Sequence, residues 1–215
     1  MLDYLFTSPI LFLVWTIALL AAITIHEFAH AWIADQLGDP TARLAGRLSL
    51  NPFDHLDPIG TLALFIFRFG WGKPVPIDPF NLRNPRRDSA FISLAGPASN
   101  FLLAIVLAAV LRFLPIINLN LAIFNLFLSP IIIMNIMLGV FNLLPLNPLD
   151  GGKILIGFLP ADLANQWEEI LNQYSLIFLI FLLFPIFSSS SLISVLILPI
   201  VNLILSLLLP SNPLI

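Results

Sequence analysis

Ile10–Ala34 reads ILFLVWTIALLAAITIHEFAHAWIA, a stretch that is apolar at nearly every position except for one polar cluster near its end. As a helix it is long enough to cross a hydrocarbon core of about 30 Å. No positively charged segment precedes it and no small-residue cleavage site is obvious, so we interpret it as a retained span and not as a signal peptide. This stretch therefore predicts a membrane protein.

Composition extends that interpretation to the whole chain. Of its 215 residues, 59% are apolar and only 10% are charged, with a mean hydropathy of +1.01; soluble domains are about half apolar and about a quarter charged. No polar stretch is long enough for a soluble domain, so we predict one membrane domain over residues 1–215, surrounded by the lipid bilayer. No basic block could follow a phosphate backbone, which excludes nucleic acid as a partner. Because the chain has no cysteine, any metal must be held by His, Asp or Glu.

Four further apolar runs follow, at Phe91–Leu114, Leu121–Leu146, Leu171–Phe187 and Leu192–Leu209. The first two of these are of spanning length, although each contains a proline. The last two fit either two full spans or a tight hairpin. The predicted fold class is an all-α polytopic membrane protein with about five transmembrane helices. Its catalytic core covers about residues 10–153, and C-terminal helices cover about 171–209.

A different pattern lies between the first two runs. Phe65, Phe67, Phe69 and Trp71 alternate with other residues at a period of two, which is typical of a strand. The prolines within 74–79 end the pattern, because proline cannot donate to a β-ladder. We therefore predict a small β-ribbon here. It would receive an extended substrate by strand addition, or the aromatic residues would instead anchor the chain at the membrane interface.

Basic residues predict the orientation of the chain. Seven of the nine lie between the first and second apolar runs: Arg43, Arg47, Arg68, Lys73, Arg83, Arg86 and Arg87. Cytoplasmic loops carry an excess of Lys and Arg, so we predict that this loop is cytoplasmic. The third run then returns to the same face near Pro145–Asp150. The protein is expected to be multi-pass, with its polar cluster toward the cytoplasmic side.

That polar cluster is His26-Glu27-Phe28-Ala29-His30, an HExxH sequence. Positions i and i+4 share one face of a helix, so both imidazoles can reach one metal ion while Glu27 stays beside the open coordination position. An ionisable residue at bilayer depth costs about 2.5 kcal/mol or more, which favours a wet or metal-filled cavity around the cluster. The alternative is a pair of histidines that only form hydrogen bonds between helices.

A catalytic zinc site usually has three protein ligands, so one further His, Asp or Glu is needed. Asp150 lies in the segment Asn142–Gly152, NLLPLNPLDGG, which is predicted to return to the membrane face of the HExxH sequence. Its prolines break the helix before the carboxylate, and the glycine pair lets the backbone turn sharply to aim it. The other candidate, His55, lies in a turn-rich stretch, where we interpret it as a surface-loop residue.

Together, the HExxH sequence in the first long span and the late NLLPLNPLDGG segment resemble the site-2 protease family of intramembrane metallopeptidases. The resemblance covers roughly residues 10–153, with weaker similarities at 93–100 (SLAGPASN) and 72–76 (GKPVP). It implies that His26, His30 and Asp150 hold one Zn²⁺ per chain, that Glu27 is the catalytic base, and that Asn142 lies near the substrate carbonyl. It also implies a short member without PDZ or CBS-type domains, located in a bacterial inner membrane.

The predicted chemistry is hydrolysis of a peptide bond. Zinc lowers the pKa of water to about 7, Glu27 would take the proton of that water, and Glu27 would then protonate the leaving amine. The Asn142 amide would help to stabilise the oxyanion, or would instead form an interhelical hydrogen bond. We interpret Gly96 and Asn100 mainly as positions of close helix packing.

The predicted function is that of an intramembrane zinc metalloendopeptidase acting on transmembrane substrate proteins in regulated intramembrane proteolysis. The alternatives are a zinc-binding membrane transporter and a non-proteolytic membrane scaffold. A transporter is expected to place more ionisable residues across the bilayer. A scaffold is expected to lose at least one of the four residues assigned to catalysis and metal binding.

Overall fold

The computed structural model describes residues 7–67, 70–114, 121–183 and 192–209. These residues form eight α-helices: α1 (Pro9–Gln36), α2 (Thr41–Leu44), α3 (Pro58–Phe67), α4 (Pro85–Phe113), α5 (Leu121–Asn142), α6 (Asp150–Phe158), α7 (Ala161–Leu183) and α8 (Leu192–Leu208). Two short 3-10 helices, Pro52–His55 and Pro79–Asn81, lie in the long connection between α1 and α4. The described part of the chain is therefore mostly helical, as the predicted fold class requires.

Three of these helices are long and apolar enough to cross a membrane. They are α1, α4 and α5, and the most apolar window of each has a mean hydropathy of 2.1. The protein is accordingly an integral membrane protein, and the first three predicted spans are confirmed by length and composition. The described parts of the last two predicted runs lie mainly in helices, α7 and α8, but neither helix is a candidate span among the described residues. Residues 184–191, which include the end of the predicted run Leu171–Phe187, lie outside the described residues.

Small residues bring the three spanning helices close together. α1, α4 and α5 pack against one another, and Ala18, Ala22 and Ala104 on these helices are completely buried. Where side chains are this small, helix backbones can approach closely and pack by van der Waals contacts. These contacts hold the helices together, because a lipid environment supplies no hydrophobic driving force between them. The middle of α4 consequently lies against the second half of α1.

A second cluster holds the C-terminal part of the protein in place. α8 packs against α5 and α7, and Val201 and Leu205 of α8 join Ile132 and Ile136 of α5 in one buried apolar cluster. α6 packs against α4 and α7. The start of α6 is therefore held beside α4, opposite the second half of α1.

The predicted β-ribbon is wrong for the residues that the structure describes. Phe65–Phe67 belong to helix α3, and the described residues contain only one isolated antiparallel bridge, between Leu56 and Gly72. The helix begins where Pro58 stands in its first turn and the Asp57 carboxylate accepts a hydrogen bond from the backbone N–H of Gly60 at 2.7 Å. Because α3 is apolar nearly throughout, the alternation of its aromatic residues carries no period-two signal. Residues 68 and 69 lie outside the described residues.

Candidate metal centre

Three side chains from two separate parts of the sequence meet beside α4. His26 and His30 lie one turn apart on α1, and Asp150 is the first residue of α6. The two Nε2 atoms are 3.0 Å apart, and Asp150 Oδ2 lies 3.0 Å from His26 Nε2 and 3.3 Å from His30 Nε2. Both histidines are buried and Asp150 is half-buried. The structure thus brings together the three residues predicted as ligands.

The other ring nitrogen of each histidine faces an oxygen atom. His26 Nδ1 lies 2.7 Å from Asn100 Oδ1, and His30 Nδ1 lies 2.7 Å from the backbone carbonyl oxygen of Ile92. An amide or carbonyl oxygen only accepts hydrogen bonds, so each Nδ1 must carry the proton and donate it. Each neutral ring then has a lone pair on Nε2, as in metal-binding histidines whose other ring nitrogen donates a hydrogen bond to an oxygen.

These three atoms fit a metal ion. One ligand atom from each of His26, His30 and Asp150 lies within 4.8 Å of the others, and buried Asp150 Oδ2 receives no hydrogen bond within the described part of the chain. Lone pairs that face one another at about 3 Å repel each other unless a cation lies between them. Two imidazole nitrogens and one carboxylate oxygen are a donor set of catalytic zinc, which keeps its fourth position open.

Asp150 is an anion in this setting. Burial alone would raise the pKa of its carboxyl group, but the hydrogen bonds and positive charge that His26 and His30 supply when their rings are protonated, with no metal bound, outweigh burial and hold that pKa well below its ordinary value. A carboxylate must be deprotonated to bind a metal ion. The electrostatics of the site are therefore suited to a cation.

Glycines allow the backbone to approach the group closely. A Cβ atom on Gly96 of α4 would lie 2.5 Å from His30 Nε2 and 2.6 Å from His26 Cε1, so no larger residue fits against the two rings. A Cβ atom on Gly151 would lie 2.5 Å from the Leu143 carbonyl oxygen at the end of α5. Gly151, the residue after Asp150, is thus needed because the two backbone segments approach closely. Its φ is not positive, so it does not adopt the left-handed conformation that a sharp turn would use.

Two further predicted residues have different surroundings. Glu27 lies next to His26 on α1, is half-buried, and forms no hydrogen bond or ion pair with the other residues described. Asn142 donates its amide N–H to the backbone carbonyl of Leu138 in its own helix at 3.1 Å. Among the described residues no hydrogen bond joins Asn142 to the three ligands, so its role at a substrate carbonyl stays a prediction.

His55 belongs to a separate cluster in the connection between α1 and α4, and its interpretation as a surface residue is wrong. Its side chain is completely buried. Its Nε2 donates to the Ser49 carbonyl at 2.8 Å, and its Nδ1 lies 3.4 Å from Nη2 of buried Arg47. The same Nη2 donates to the Lys73 carbonyl at 2.6 Å, and Nη1 donates to the Pro74 carbonyl at 3.3 Å. We call Arg47, His55 and the Lys73–Pro74 backbone the loop lock, because they join two stretches of this connection.

Sequence reasoning missed the hydrogen-bonding role of Asn100. We interpreted it mainly as a packing position, yet it is completely buried and its Oδ1 contacts His26. Its Nδ2 donates to the Ala22 carbonyl at 3.0 Å and to Asn135 Oδ1 at 2.8 Å. The signal that could have revealed it is its position, since an amide inside an apolar span must find partners there.

Comparison with known proteins gives consistent matches. The family described as "Peptidase family M50" matches residues 127–182, a segment that contains Asp150 but not the HExxH sequence. In Bacillus subtilis (strain 168), the "Putative zinc metalloprotease YwhC" is 38% identical over 168 residues, which cover 76% of this chain and 77% of that protein.

Two more distant relatives are longer. The "Zinc metalloprotease MJ0392" of Methanocaldococcus jannaschii is 29% identical over 152 residues, which cover 71% of this chain and 36% of that protein. The "Putative zinc metalloprotease Rip2" of Mycobacterium tuberculosis (strain ATCC 25618 / H37Rv) is 32% identical over 168 residues, which cover 74% of this chain and 62% of that protein. This chain therefore spans less than two thirds of either of these relatives. No solved structure matches the chain.

Proposed function

The chain belongs to peptidase family M50, the site-2 proteases, and from this premise we propose that it is an intramembrane zinc endopeptidase that cuts membrane-spanning proteins. Family membership and the three candidate spans support a metalloprotease embedded in the bilayer. The proposal goes further, because it assigns the place of cleavage, the class of substrate and the residues that act. We propose that residues 1–215 act as a single catalytic domain in regulated intramembrane proteolysis.

One observation carries the proposal. His26, His30 and Asp150 point three lone pairs at one position, and both imidazoles are held by their Nδ1 atoms in the tautomer that leaves Nε2 free. Histidines that served only to join helices would use Nε2 in a hydrogen bond with a donor. We propose that these three residues hold one zinc ion per chain.

Zinc held there would act as a Lewis acid toward a peptide carbonyl and would lower the pKa of water from about 15.7 to about 7. Glu27 is placed one residue after the first ligand, and no partner among the described residues competes for its carboxylate. Its carboxylate accepts a proton from the attacking water and then donates that proton to the leaving amine. Asn142 donates one amide N–H to the Leu138 carbonyl, and its second N–H would donate to the substrate oxyanion.

The position of the site defines what the substrate must do. Two of the proposed ligands, His26 and His30, are buried and lie on a helix that is a candidate membrane span, so the scissile peptide has to come to this depth. A helical substrate hides its carbonyl groups in internal hydrogen bonds and must unwind locally before one of them can react. The basic connection between α1 and α4 supports an orientation with the site toward the cytoplasmic side, and we propose a bacterial inner membrane as the location.

The experiment is cleavage of a single-span test substrate by the purified full chain in detergent, with zinc quantified in every sample. Glu27→Gln removes the proton acceptor but keeps the size of the side chain, so we expect cleavage to fall by about 10²- to 10⁴-fold while zinc content stays at the wild-type value. The matched control is Glu169→Gln, the same substitution at an exposed position of α7. This control should cleave as the wild type does.

A chelator that removes zinc should abolish cleavage by the wild type, and added zinc should restore it. Full zinc occupancy without cleavage of any substrate tried would contradict the proposal and favour a metal-handling protein or a scaffold. Cleavage by Glu27→Gln at the wild-type rate would show that another group is the base.

A further inference from the structure

Asn135 is a buried amide in the middle of helix α5 that the proposed reaction does not use. Its side chain is completely buried within a membrane-spanning helix, where an amide without partners is costly. Its Nδ2 donates to the backbone carbonyl of Ile131 in the same helix at 2.8 Å. Its Oδ1 points across to α4 and accepts the hydrogen bond from Asn100 Nδ2 at 2.8 Å. Both ends of the amide are therefore engaged.

The hydrogen bond from Asn100 Nδ2 to Asn135 Oδ1 sets the orientation of the Asn100 side-chain amide. As found, Asn100 Oδ1 faces His26 Nδ1, and Asn100 Nδ2 donates to the Ala22 carbonyl and to Asn135 Oδ1. If the amide were turned over, its oxygen would face two other oxygens and both hydrogen bonds would be lost. The Ala22 carbonyl lies inside α1, where its regular donor is the backbone N–H of His26. Asn135 Oδ1, in contrast, accepts a hydrogen bond from no other donor among the described residues.

Turning the Asn100 amide would change the chemistry of His26. An amide N–H facing Nδ1 would require Nδ1 to accept, so the ring proton would move to Nε2. That proton would then point at Asp150 Oδ2, which lies 3.0 Å away, and would occupy the lone pair that a metal needs. The tautomer of His26 therefore depends on the direction of a side chain on another helix.

We propose that Asn135 is a positioning residue of the metal centre. By accepting the hydrogen bond from Asn100, it keeps the Asn100 oxygen toward His26, holds the ring proton on Nδ1 and leaves Nε2 free for the metal. A directed series of hydrogen bonds thus runs from His26 through Asn100 and Asn135 to the Ile131 carbonyl and joins α1, α4 and α5. The inference rests on the proposed zinc site but does not require that the protein cleave anything.

His30 provides the comparison within the same site. Its Nδ1 donates to the backbone carbonyl of Ile92, which cannot turn over as an amide side chain can. A change at Asn135 should therefore alter the tautomer of His26 and leave that of His30 as it was.

The first measurement is zinc affinity of the full chain in detergent, determined by competition with a chromophoric chelator. Asn135→Leu keeps the approximate size of the side chain and removes the acceptor. Loss of an outer-shell partner weakens metal binding by about 10- to 100-fold, and we expect about 10-fold here because Asn135 acts through Asn100. The matched control is Asn125→Leu on the same helix, where the side chain is half-buried and lies outside this series of hydrogen bonds. Its zinc affinity should equal that of the wild type.

The rescue variant is Asn135→Asp. A buried carboxyl group takes up a proton readily, and the neutral acid can present its C=O to Asn100 and its O–H to the Ile131 carbonyl. We expect its zinc affinity to return to within about 3-fold of the wild type. Packing alone cannot explain such a pattern, because Leu and Asp both fill the space of Asn approximately.

The second measurement is the nitrogen NMR spectrum of the histidine rings in the metal-free protein, recorded at a pH at which both rings are neutral. His26 should carry its proton on Nδ1 in the wild type and in Asn135→Asp, and on both nitrogens in exchange in Asn135→Leu. His30 should carry it on Nδ1 in all three. This readout tests the inference even if the protein proves to bind no zinc, so failure here is distinct from failure of the proposed function.

Equal zinc affinity and equal His26 tautomers in Asn135→Leu and Asn125→Leu would overturn the inference. So would an Asn135→Asp variant as weak as Asn135→Leu, since shape would then be the property that matters. If Asn135→Leu does not fold, the wild-type spectrum decides, because a metal-free His26 with its proton on Nε2 is incompatible with the inference.

Discussion

The metal centre and the connection between α1 and α4 both contain histidine and aspartate side chains, but these side chains differ in how many hydrogen-bond partners they have. In the connection, His55 uses both ring nitrogens, one toward the Ser49 carbonyl and one toward Arg47. In the metal centre, His26 and His30 each use Nδ1 and leave Nε2 free. Burial of a histidine therefore does not identify a site. A free lone pair that faces other free lone pairs does.

Two aspartates, one in each region, repeat this difference. Asp39, in the connection, receives hydrogen bonds from the backbone N–H groups of Thr41 and Asp78, from the Thr41 hydroxyl and from the Asn81 amide. Asp150 Oδ2 receives none among the described residues. A carboxylate surrounded by donors stabilises a loop, whereas one left without donors beside two imidazoles is suited to a cation.

The largest effect that this comparison predicts is loss of the metal. Asp150→Ala removes one of three ligands, so zinc affinity should fall by at least about 100-fold and cleavage should become undetectable. Zinc content after purification and a chelator competition measure this. Asp162→Ala, at an exposed position of α7, is the control and should retain full zinc. Stoichiometric zinc in Asp150→Ala would mean that Asp150 is not a ligand.

A smaller effect is expected from crowding the histidines. Gly96→Ala places a methyl group 2.5 to 2.6 Å from both rings, so the rings must shift and zinc affinity should fall by about 10- to 100-fold. Gly139→Ala is the matched control, because its Cβ would meet only the Phe101 ring, at 3.1 Å, and that side chain can move. Similar zinc affinities for the two variants would show that the close approach of α4 is not needed for metal binding.

A substitution in the loop lock should lower the free energy of unfolding and leave zinc binding unchanged. His55→Leu leaves the Ser49 carbonyl and the Arg47 guanidinium without one partner each, so we expect a loss of about 1–3 kcal/mol in the free energy of unfolding. Zinc content should stay at the wild-type value, because His55 lies outside the group of ligands. Thermal unfolding and zinc analysis of one preparation test both parts. A fall in zinc with unchanged stability would reverse the roles that we assign to the two regions.

The smallest effect concerns Asp39 and pH. Burial would raise the pKa of Asp39, but its hydrogen bonds from Thr41, Asn81 and Asp78 outweigh burial and hold that pKa below its ordinary value of 3.8. A depressed folded-state pKa stabilises the fold above the ordinary value, and this stabilisation is lost as the pH falls through the folded-state value.

Asp39→Asn removes that titration. The wild type should unfold about 2–4 °C above the variant at neutral pH, and the gap should narrow below about pH 4. Thermal unfolding between pH 3 and pH 7, in steps of about one unit, measures the gap, and Asp162→Asn serves as the control. A gap that stays constant over this range would show that ionisation of Asp39 does not contribute to stability.

Local rules explain why part of the candidate site could be predicted from the sequence. His26 and His30 share a helix face because they are four residues apart, and α1 is recognisable from its apolar length alone. Asp150 could be paired with them because the spans alternate direction and return it to the same side. The first three spans were predictable because each depends only on residues close together in the sequence.

Local rules also explain the error at α3. In a stretch that is apolar nearly throughout, alternation of aromatic residues is compatible with a helix as well as with a strand. The helix start at Asp57 and Pro58 was the informative signal, because it depends on a capping carboxylate and a proline in the first turn.

By itself, then, the sequence determined that this protein lies in a membrane and that it carries a paired-histidine motif with a distant aspartate. Only the tertiary structure decided which nitrogen of each histidine faces that aspartate, because Asn100 and the Ile92 carbonyl contact the rings from another helix, α4. It also decided that His55 is buried and that Gly96 lies against both rings. Contacts between distant residues leave no periodic pattern in the sequence, and the direction of a hydrogen bond depends on all of its neighbours in space.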